Sequence, residues 1–255
     1  MAVTTDALVY EWVGKKADDD GTEHANADAD KATWFGNVGS LNITLSNFDW
    51  SGTDGWAGAG TAGNPYALIA DGSGHLVRST TATGAAWQDT SFSMEQWICP
   101  LAWVPGDTGG FFTNKGAAGY GFRYYTSSTE NSVSLRWGPD GAADTYFTVK
   151  SAFTPGTWYH VVLTYNGTNL YTYWDNAQTS HGAVTYSPNT TIAVAPFFTP
   201  DTTSNVSNGS IATTRWYSKA LSVAEVAANY AAGVLAASTD AEPTFTGLTV
   251  TRPVG

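Results

Sequence analysis

One ribbon of this chain admits few folds. WYHVVLTYNGTNLYTYWDNAQ, from Trp158 to Gln178, is two runs of alternating side chains joined by Asn166-Gly167, with a second turn at Asp175-Asn176. In an extended segment, Tyr159, Val161, Leu163 and Tyr165 fall on one side. Trp158, His160, Val162 and Thr164 fall on the other. Asn-Gly supplies the two positive-φ positions of a tight hairpin. Both sides of the first run are apolar enough to need cover, which predicts a strand in the middle of stacked sheets.

The rest of the chain repeats the pattern. Strands are expected at 7–13, 41–46, 66–70, 74–78, 90–98, 109–114, 120–125, 132–137, 144–150, 158–165, 169–174, 180–186, 191–198, 209–217 and 244–250, punctuated by Gly, Asn, Asp and Pro. Short strands at this spacing with almost no helix between them predict an all-β, antiparallel sandwich or barrel. One helix interrupts them, in KALSVAEVAANYAAG. Ser222 is its N-cap and Glu225 completes a capping box, with Leu221 and Val226 placed as a staple. Val223, Val226, Ala227 and Tyr230 form the expected packing stripe, and Gly233 ends it. Residues 14–31 read as a long acidic loop. Residues 1–235 read as one domain, and 236–255 as a C-terminal linker and strand extension.

The 255 residues suffice for a core without disulfides, and Cys99, the single cysteine, reads as a small buried hydrophobe. Charged residues make up only 13%, with a formal net charge of −11, which excludes the basic field that nucleic acid or an anionic membrane requires. MAVTTDALVYEWV has no basic n-region and no long apolar run, so neither a secretion signal of that kind nor a membrane span is expected.

Tests for catalytic motifs are mostly negative. GAGTAG at Gly58–Gly63 has dinucleotide-loop spacing, but Asn64-Pro65 blocks the helix that must follow. The 4 histidines, His24, His75, His160 and His181, lack metal-ligand spacing, and His160 reads as a hydrogen-bonded structural residue. Glycosidases need two carboxylates flanking the scissile bond. Glu95, in SFSMEQW, is the mid-strand carboxylate that could sit in a groove; without a second carboxylate within four residues on its strand, it is expected on an outward face. DDDG and NADAD lack the spacing of a Ca²⁺ loop, and Asp71, in a turn after a strand, offers one oxygen.

Four segments together resemble a known family. ALIADGSGHLVRS resembles its "FDG…YV" turn and SFSMEQWICPLAW its "FTISAWVKP" strand. PGTWYHVVLTYNGTNLYTYWDNAQ resembles "GTWYHVVATYDGTNLRLYVNG", and GSIATTRWYSKALSVAEVAANYAAG resembles "G.I..VRIYNRALSAAEI..LY..G". The order and spacing resemble the laminin-G-like, concanavalin A-like jelly roll over residues 7–233. Arg215 stands where that family has a basic residue; Asn166-Gly167 replaces its DG, and Trp174-Asp175-Asn176 its VNG turn. The resemblance implies a two-sheet sandwich, with the aromatic ribbons building its core. It also implies a Ca²⁺ at the rim in many members, without assigning its ligands in this chain; Asp71, with one oxygen, is a candidate and not a site by itself.

Fold does not set role. The first reading is a non-catalytic structural or adhesion protein of a virus particle (capsid decoration, head fibre or tail component, with a bacteriophage in view). It would work as a homo-oligomer, with Phe245, Leu248 and Val250 of FTGLTV adding an edge strand to a protein partner. The second is an extracellular carbohydrate-binding module or lectin that binds surface glycans on exposed aromatic rings. Trp34, Trp50, Trp56, Trp87, Trp103, Trp137 and Trp174 all lie in or near expected loops, and Trp103 and Trp174 are the chosen candidates. A glycoside hydrolase or lyase is the third reading, disfavoured by the missing carboxylate pair.

Overall fold

The computed structural model describes residues 2–14, 25–39, 41–71, 76–79, 90–101, 110–113, 121–126, 131–138, 144–186 and 208–238. Among the described residues, fifteen strands and one helix are laid out in chain order. They are β1 (Leu8–Val13), β2 (Thr33–Trp34), β3 (Ile43–Ser46), β4 (Gly55–Ala57), β5 (Ala67–Asp71), β6 (Leu76–Ser79), β7 (Phe92–Pro100) and β8 (Gly110–Thr113). Then follow β9 (Gly121–Thr126), β10 (Val133–Gly138), β11 (Thr145–Lys150), β12 (Tyr159–Tyr165), β13 (Asn169–Trp174), β14 (Ala177–Ala183), β15 (Asn208–Tyr217) and α1 (Val223–Ala232).

The strands make an 8-stranded sheet in the order β14-β13-β12-β7-β15-β5-β4, with β1 also paired to β15. A 4-stranded sheet, β11-β10-β9-β8, and a 3-stranded sheet, β2-β3-β6, complete the set. Pairing is antiparallel throughout these ladders. One aromatic-rich core joins all three sheets. Trp12, Phe92, Met94, Leu163 and Trp216 come from the large sheet, Trp34 and Ile43 from β2 and β3, and Leu135 and Trp137 from β10. Phe92 is its hub: its ring stacks on Trp216 at 4.8 Å and on Phe122 at 5.6 Å. Two of the buried indoles hydrogen-bond to backbone between layers: Trp12 Nε1 donates to Leu41 O at 2.8 Å and Trp34 Nε1 to Val13 O at 3.0 Å.

The fold expectation holds: an antiparallel jelly-roll sandwich with one short helix. The two-sided burial of β12 also holds. Val161, Leu163 and Tyr165 enter the sandwich core, while Val162 joins a second cluster with Tyr173, Tyr217, Leu221 and Val226. The large sheet is therefore covered on both faces, by the smaller sheets on one and by α1 on the other. Ser222 Oγ accepts from Glu225 N, Glu225 Oε2 accepts from Ser222 N, and Gly233 (φ 86°) donates to Tyr230 O, as the sequence indicates.

The turns differ from expectation. Asn166 has no positive φ; its Oδ1 accepts from Thr168 N at 3.1 Å and Asn169 N at 2.8 Å, so only Gly167, at φ 92°, is left-handed. The side chain's own turn replaces the tighter one. The two-residue turn with both φ positive is Asp175-Asn176, at 47° and 67°, closing the Trp174–Ala177 pair. β14 therefore starts three residues before the expected 180. It is an edge strand of mostly exposed residues, AQTSHGA, with no apolar face to mark it. β2 and β4, of 2 and 3 residues, are too short to show a period. The strands expected at 191–198 and 244–250 lie outside the described residues. So does most of the 14–31 loop. Among the described residues no helix is long and apolar enough to cross a membrane.

Candidate functional site

Two polar constellations stand out. The first lies beneath α1. Register places Glu11 of β1 opposite Arg215 of β15, and Arg215 opposite Glu95 of β7. The three side chains share the helix-covered face of the large sheet and are each 0% exposed. Arg215 Nε donates to Glu11 Oε1 at 2.6 Å and Nη1 to Glu95 Oε1 at 2.5 Å, while Nη2 donates to the carbonyl of Ala236. Two carboxylates thus share one guanidinium, and further hydrogen-bond donors meet the remaining negative charge. Glu95 receives Asn229 Nδ2 of α1 at 2.6 Å, His160 Nε2 at 3.0 Å and Tyr217 OH at 3.1 Å. Glu11 receives Ser238 N at 3.0 Å, together with Ser238 Oγ and Asn37 Nδ2.

Burial alone would raise the Glu95 carboxyl, but the Arg215 charge and the hydrogen bond from His160 prevail and lower it to about 2. Burial opposes the charge on Arg215 as well, yet Glu95 and Glu11 hold it above the ordinary guanidinium value. Burial and the neighbouring Glu95 push the Tyr217 phenol up, so it stays a donor. The outward-facing expectation for Glu95 is therefore corrected. The face opposite the sandwich core is not solvent here, because α1 and residues 234–238 cover it. The helix stripe is corrected too. α1 buries Val226 and Asn229, the latter turned to Glu95, and leaves Val223 exposed. His160 is structural, as expected. Cys99 is buried, and burial pushes its thiol up to about 11.

The second constellation is open. On the outward side of β10 and β11, Arg136 lies opposite Tyr146 and Ser134 opposite Thr148. Tyr146 is 58% exposed, the most exposed large hydrophobic side chain among the described residues. Arg136 Cζ sits 5.7 Å from its ring centroid. Asp144 accepts from Arg136 Nε at 2.7 Å and also meets Nη2, which fixes the guanidinium plane beside the ring. The neighbouring strand β9 pairs Arg123 with Arg136 and Tyr125 with Ser134. The result is an outward sheet face with the Tyr146 ring, the Arg136 cation, the Asp144 carboxylate and the hydroxyls of Ser134 and Thr148.

The sequence candidates fare unevenly. Trp174 is 6% exposed and packs on Tyr159 at 4.6 Å in the core, so it offers no platform. Trp34, Trp56 and Trp137 are buried likewise. Trp50 is partly buried, with Phe48 at 5.1 Å and Lys31 Nζ 5.7 Å from its ring. Trp87, Trp103, Phe245, Leu248 and Val250 lie outside the described residues. Asp71 is exposed at the end of β5, opposite Asn208. Among the described residues no group of three or more His, Cys, Asp or Glu side chains could hold a metal ion. Tyr146 and Arg136 escaped sequence reading. The signal available was Arg136 and Tyr146 at polar positions of two expected strands, 132–137 and 144–150.

A helix-backed, two-sheet antiparallel sandwich of this kind defines a lectin-like jelly roll. The chain belongs to the concanavalin A-like lectin/glucanases superfamily, whose Laminin_G_3 family model matches residues 71–227. No curated protein sequence matches it. Among solved structures, a mutant of HCR D/C VPI 5995 is similar at TM-score 0.63 and 13% identity, over 89% of this chain and 52% of that one. A mutant of Trypanosoma rangeli sialidase displaying trans-sialidase activity is similar at 0.62 and 13%, over 93% of this chain and 35% of that one. A botulinum neurotoxin type C structure, concerned with cell entry dependent upon interaction with two ganglioside molecules, is similar at 0.57 and 12%, over 89% and 51%. The likeness is one of fold. The chain spans about half the length of the first and third of these chains and about a third of the sialidase chain.

Proposed function

We propose that this chain is a non-catalytic carbohydrate-binding and adhesion module, and that its glycan surface is the outer side of β10 and β11 around Tyr146. The observation that carries the reading is the exposed Tyr146 ring held in place by the Arg136–Asp144 pair. Sugar rings pack their C–H faces on aromatic side chains, and the adjoining fork and hydroxyls can pair with sugar hydroxyls. A preorganised ring loses little freedom when it binds.

Catalysis is the weaker alternative for a physical reason. A glycosidase acid needs access to the glycosidic oxygen and a raised pKa. Glu95 has neither: it is sealed beneath α1 and lowered to about 2. Glycan binding by the ganglioside-dependent neurotoxin supports the binding reading by analogy of fold. The finer part of the proposal is the setting, the surface of a virus particle, with Phe245, Leu248 and Val250 pairing to a neighbouring protein. It rests on the acidic, charge-poor composition and the C-terminal segment FTGLTV.

The test is a glycan array probed with the protein in calcium and again in chelator, repeated with Tyr146→Ala. Saturable binding to one glycan class that Tyr146→Ala abolishes supports the proposal, and loss in chelator adds a rim Ca²⁺. A blank array in both conditions rejects glycan binding and leaves protein partners, to be sought on purified particles.

A further inference from the structure

The helix-bearing face of the large sheet holds more than the charge row. Two residues along from Glu11 and Arg215, past the end of that row, lies a cavity of about 410 Å³. Its floor is Val13, Ala212 and Thr213; Tyr66 stands on one side and the segment Val234–Ala237 on the other. The floor is built by a fault in the ladder. β15 shifts register against β7 between Ile211 and Thr213, leaving Ala212 as the extra residue. Two glycines let Tyr66 approach closely enough to form the wall. A Cβ on Gly14 would come within 2.3 Å of the Tyr66 carbonyl oxygen, and one on Gly60 within 2.6 Å of the Tyr66 ring.

The lining carries no charged side chain. It does carry two side chains that can hydrogen-bond to a guest, Thr213 and Asn37. Thr213 is 2% exposed and brings a hydroxyl-bearing side chain to the floor. Asn37 commits its Nδ2 to Glu11 Oε2 and to Ser238 O, which fixes the amide and leaves Oδ1 as an acceptor. A largely apolar enclosure with a few convergent polar groups is the usual form of a small-molecule site.

We propose that this cavity binds an uncharged, ring-sized molecule with an apolar body and a hydroxyl group. The body packs on Val13, Tyr66, Ala212 and Val234, and the hydroxyl meets Thr213 and Asn37. Charged guests are rejected because the walls offer no counter-charge and burial would strip their hydration. The site lies on the opposite layer from Tyr146 and does not depend on the glycan reading.

The test uses the full chain and three probes of one shape: cyclohexanol, cyclohexanecarboxylate and cyclohexylamine. Ligand-observed NMR and thermal melting at neutral pH read binding. Cyclohexanol should saturate at roughly millimolar concentration and raise Tm, and the two charged probes should do neither. Ala212→Leu fills the cavity and should abolish binding. Should that variant fail to fold, Thr213→Val carries the test: it keeps the shape, removes the hydroxyl and should weaken cyclohexanol roughly 3- to 10-fold without lowering Tm. No saturable binding of cyclohexanol, equal binding of a charged probe, or full affinity in folded Thr213→Val overturns the proposal.

Discussion

Replacing Glu95 by Gln would test the reading of the buried charge row most directly. The carboxylate accepts from Arg215 Nη1, His160 Nε2, Tyr217 OH and Asn229 Nδ2, all at 2.5–3.1 Å. Gln keeps the shape but offers one acceptor oxygen and turns an NH₂ toward donors. It also leaves Arg215 with Glu11 alone. Breaking one side of a buried ion pair costs about 3–5 kcal/mol. Linkage gives a figure of the same order. Lowering the carboxyl from 4.5 to about 2 corresponds to ~3 kcal/mol at neutral pH, at ~1.4 kcal/mol per pH unit. The folded value lies below the unfolded one, so this stabilisation is complete above the unfolded value of 4.5 and fades as pH falls toward 2. By pH 3, roughly 2 kcal/mol of it is gone. Urea unfolding at pH 7 and pH 3 reads both effects. The variant should lose about 3–5 kcal/mol at pH 7, with unchanged m-value, and its stability should fall less than wild type between the two pH values. A loss below about 1 kcal/mol, or the same pH dependence in both proteins, would refute the ionised, mutually dependent cluster.

Tyr146→Ala should remove glycan binding while moving stability by no more than about 0.5 kcal/mol, checked by array and thermal melt; a cooperative loss of fold would contradict its exposed placement. Trp174→Ala should cost about 3–5 kcal/mol in urea unfolding, since the ring is core, whereas a surface platform would lose binding and keep stability. Asn176→Val puts a β-branched residue at φ 67° and should destabilise by about 1–2 kcal/mol in the same assay. Ser222→Ala should cost about 1 kcal/mol through the lost N-cap, seen as a lower Tm.

Legibility in the sequence followed local periodicity. β12, β13 and β15 were placed to within a residue, because each must bury side chains on both faces and so carries dense Val, Tyr, Trp and Leu. The helix was legible from its cap, since Ser222, Glu225 and the Lys219 that pairs with Glu225 all lie within seven residues of sequence. β14 was displaced because an exposed edge needs no apolar side. The Asn166 turn misled because a side chain competed with backbone for the same donors. Trp174 was misjudged because it adjoins a turn in sequence yet points inward by strand parity. Tyr146 could be placed on a strand, but its exposure depends on which sheet lies outermost, and no local pattern states that.

The charge row was the least legible feature, because its members are 84 to 204 residues apart and meet only through register. That same separation explains what the row can do. Each strand alternates sides, so a one-residue slip of β15 against β7 would carry Arg215 to the side of Phe92 and Trp216 and leave Glu95 without its partner. A sheet whose two faces are both apolar carries little information about its own register, since either set of side chains could face the core. Glu11, Arg215 and Glu95 break that symmetry across three adjacent strands. Asn229 and Ser238 then tie α1 and the segment after it to the same point. The energetic return of the ion pairs is modest against their desolvation. Their larger effect is to raise every slipped alternative, which puts a charge into an aromatic core, while the correct register brings all four donors to the Glu95 carboxylate at once.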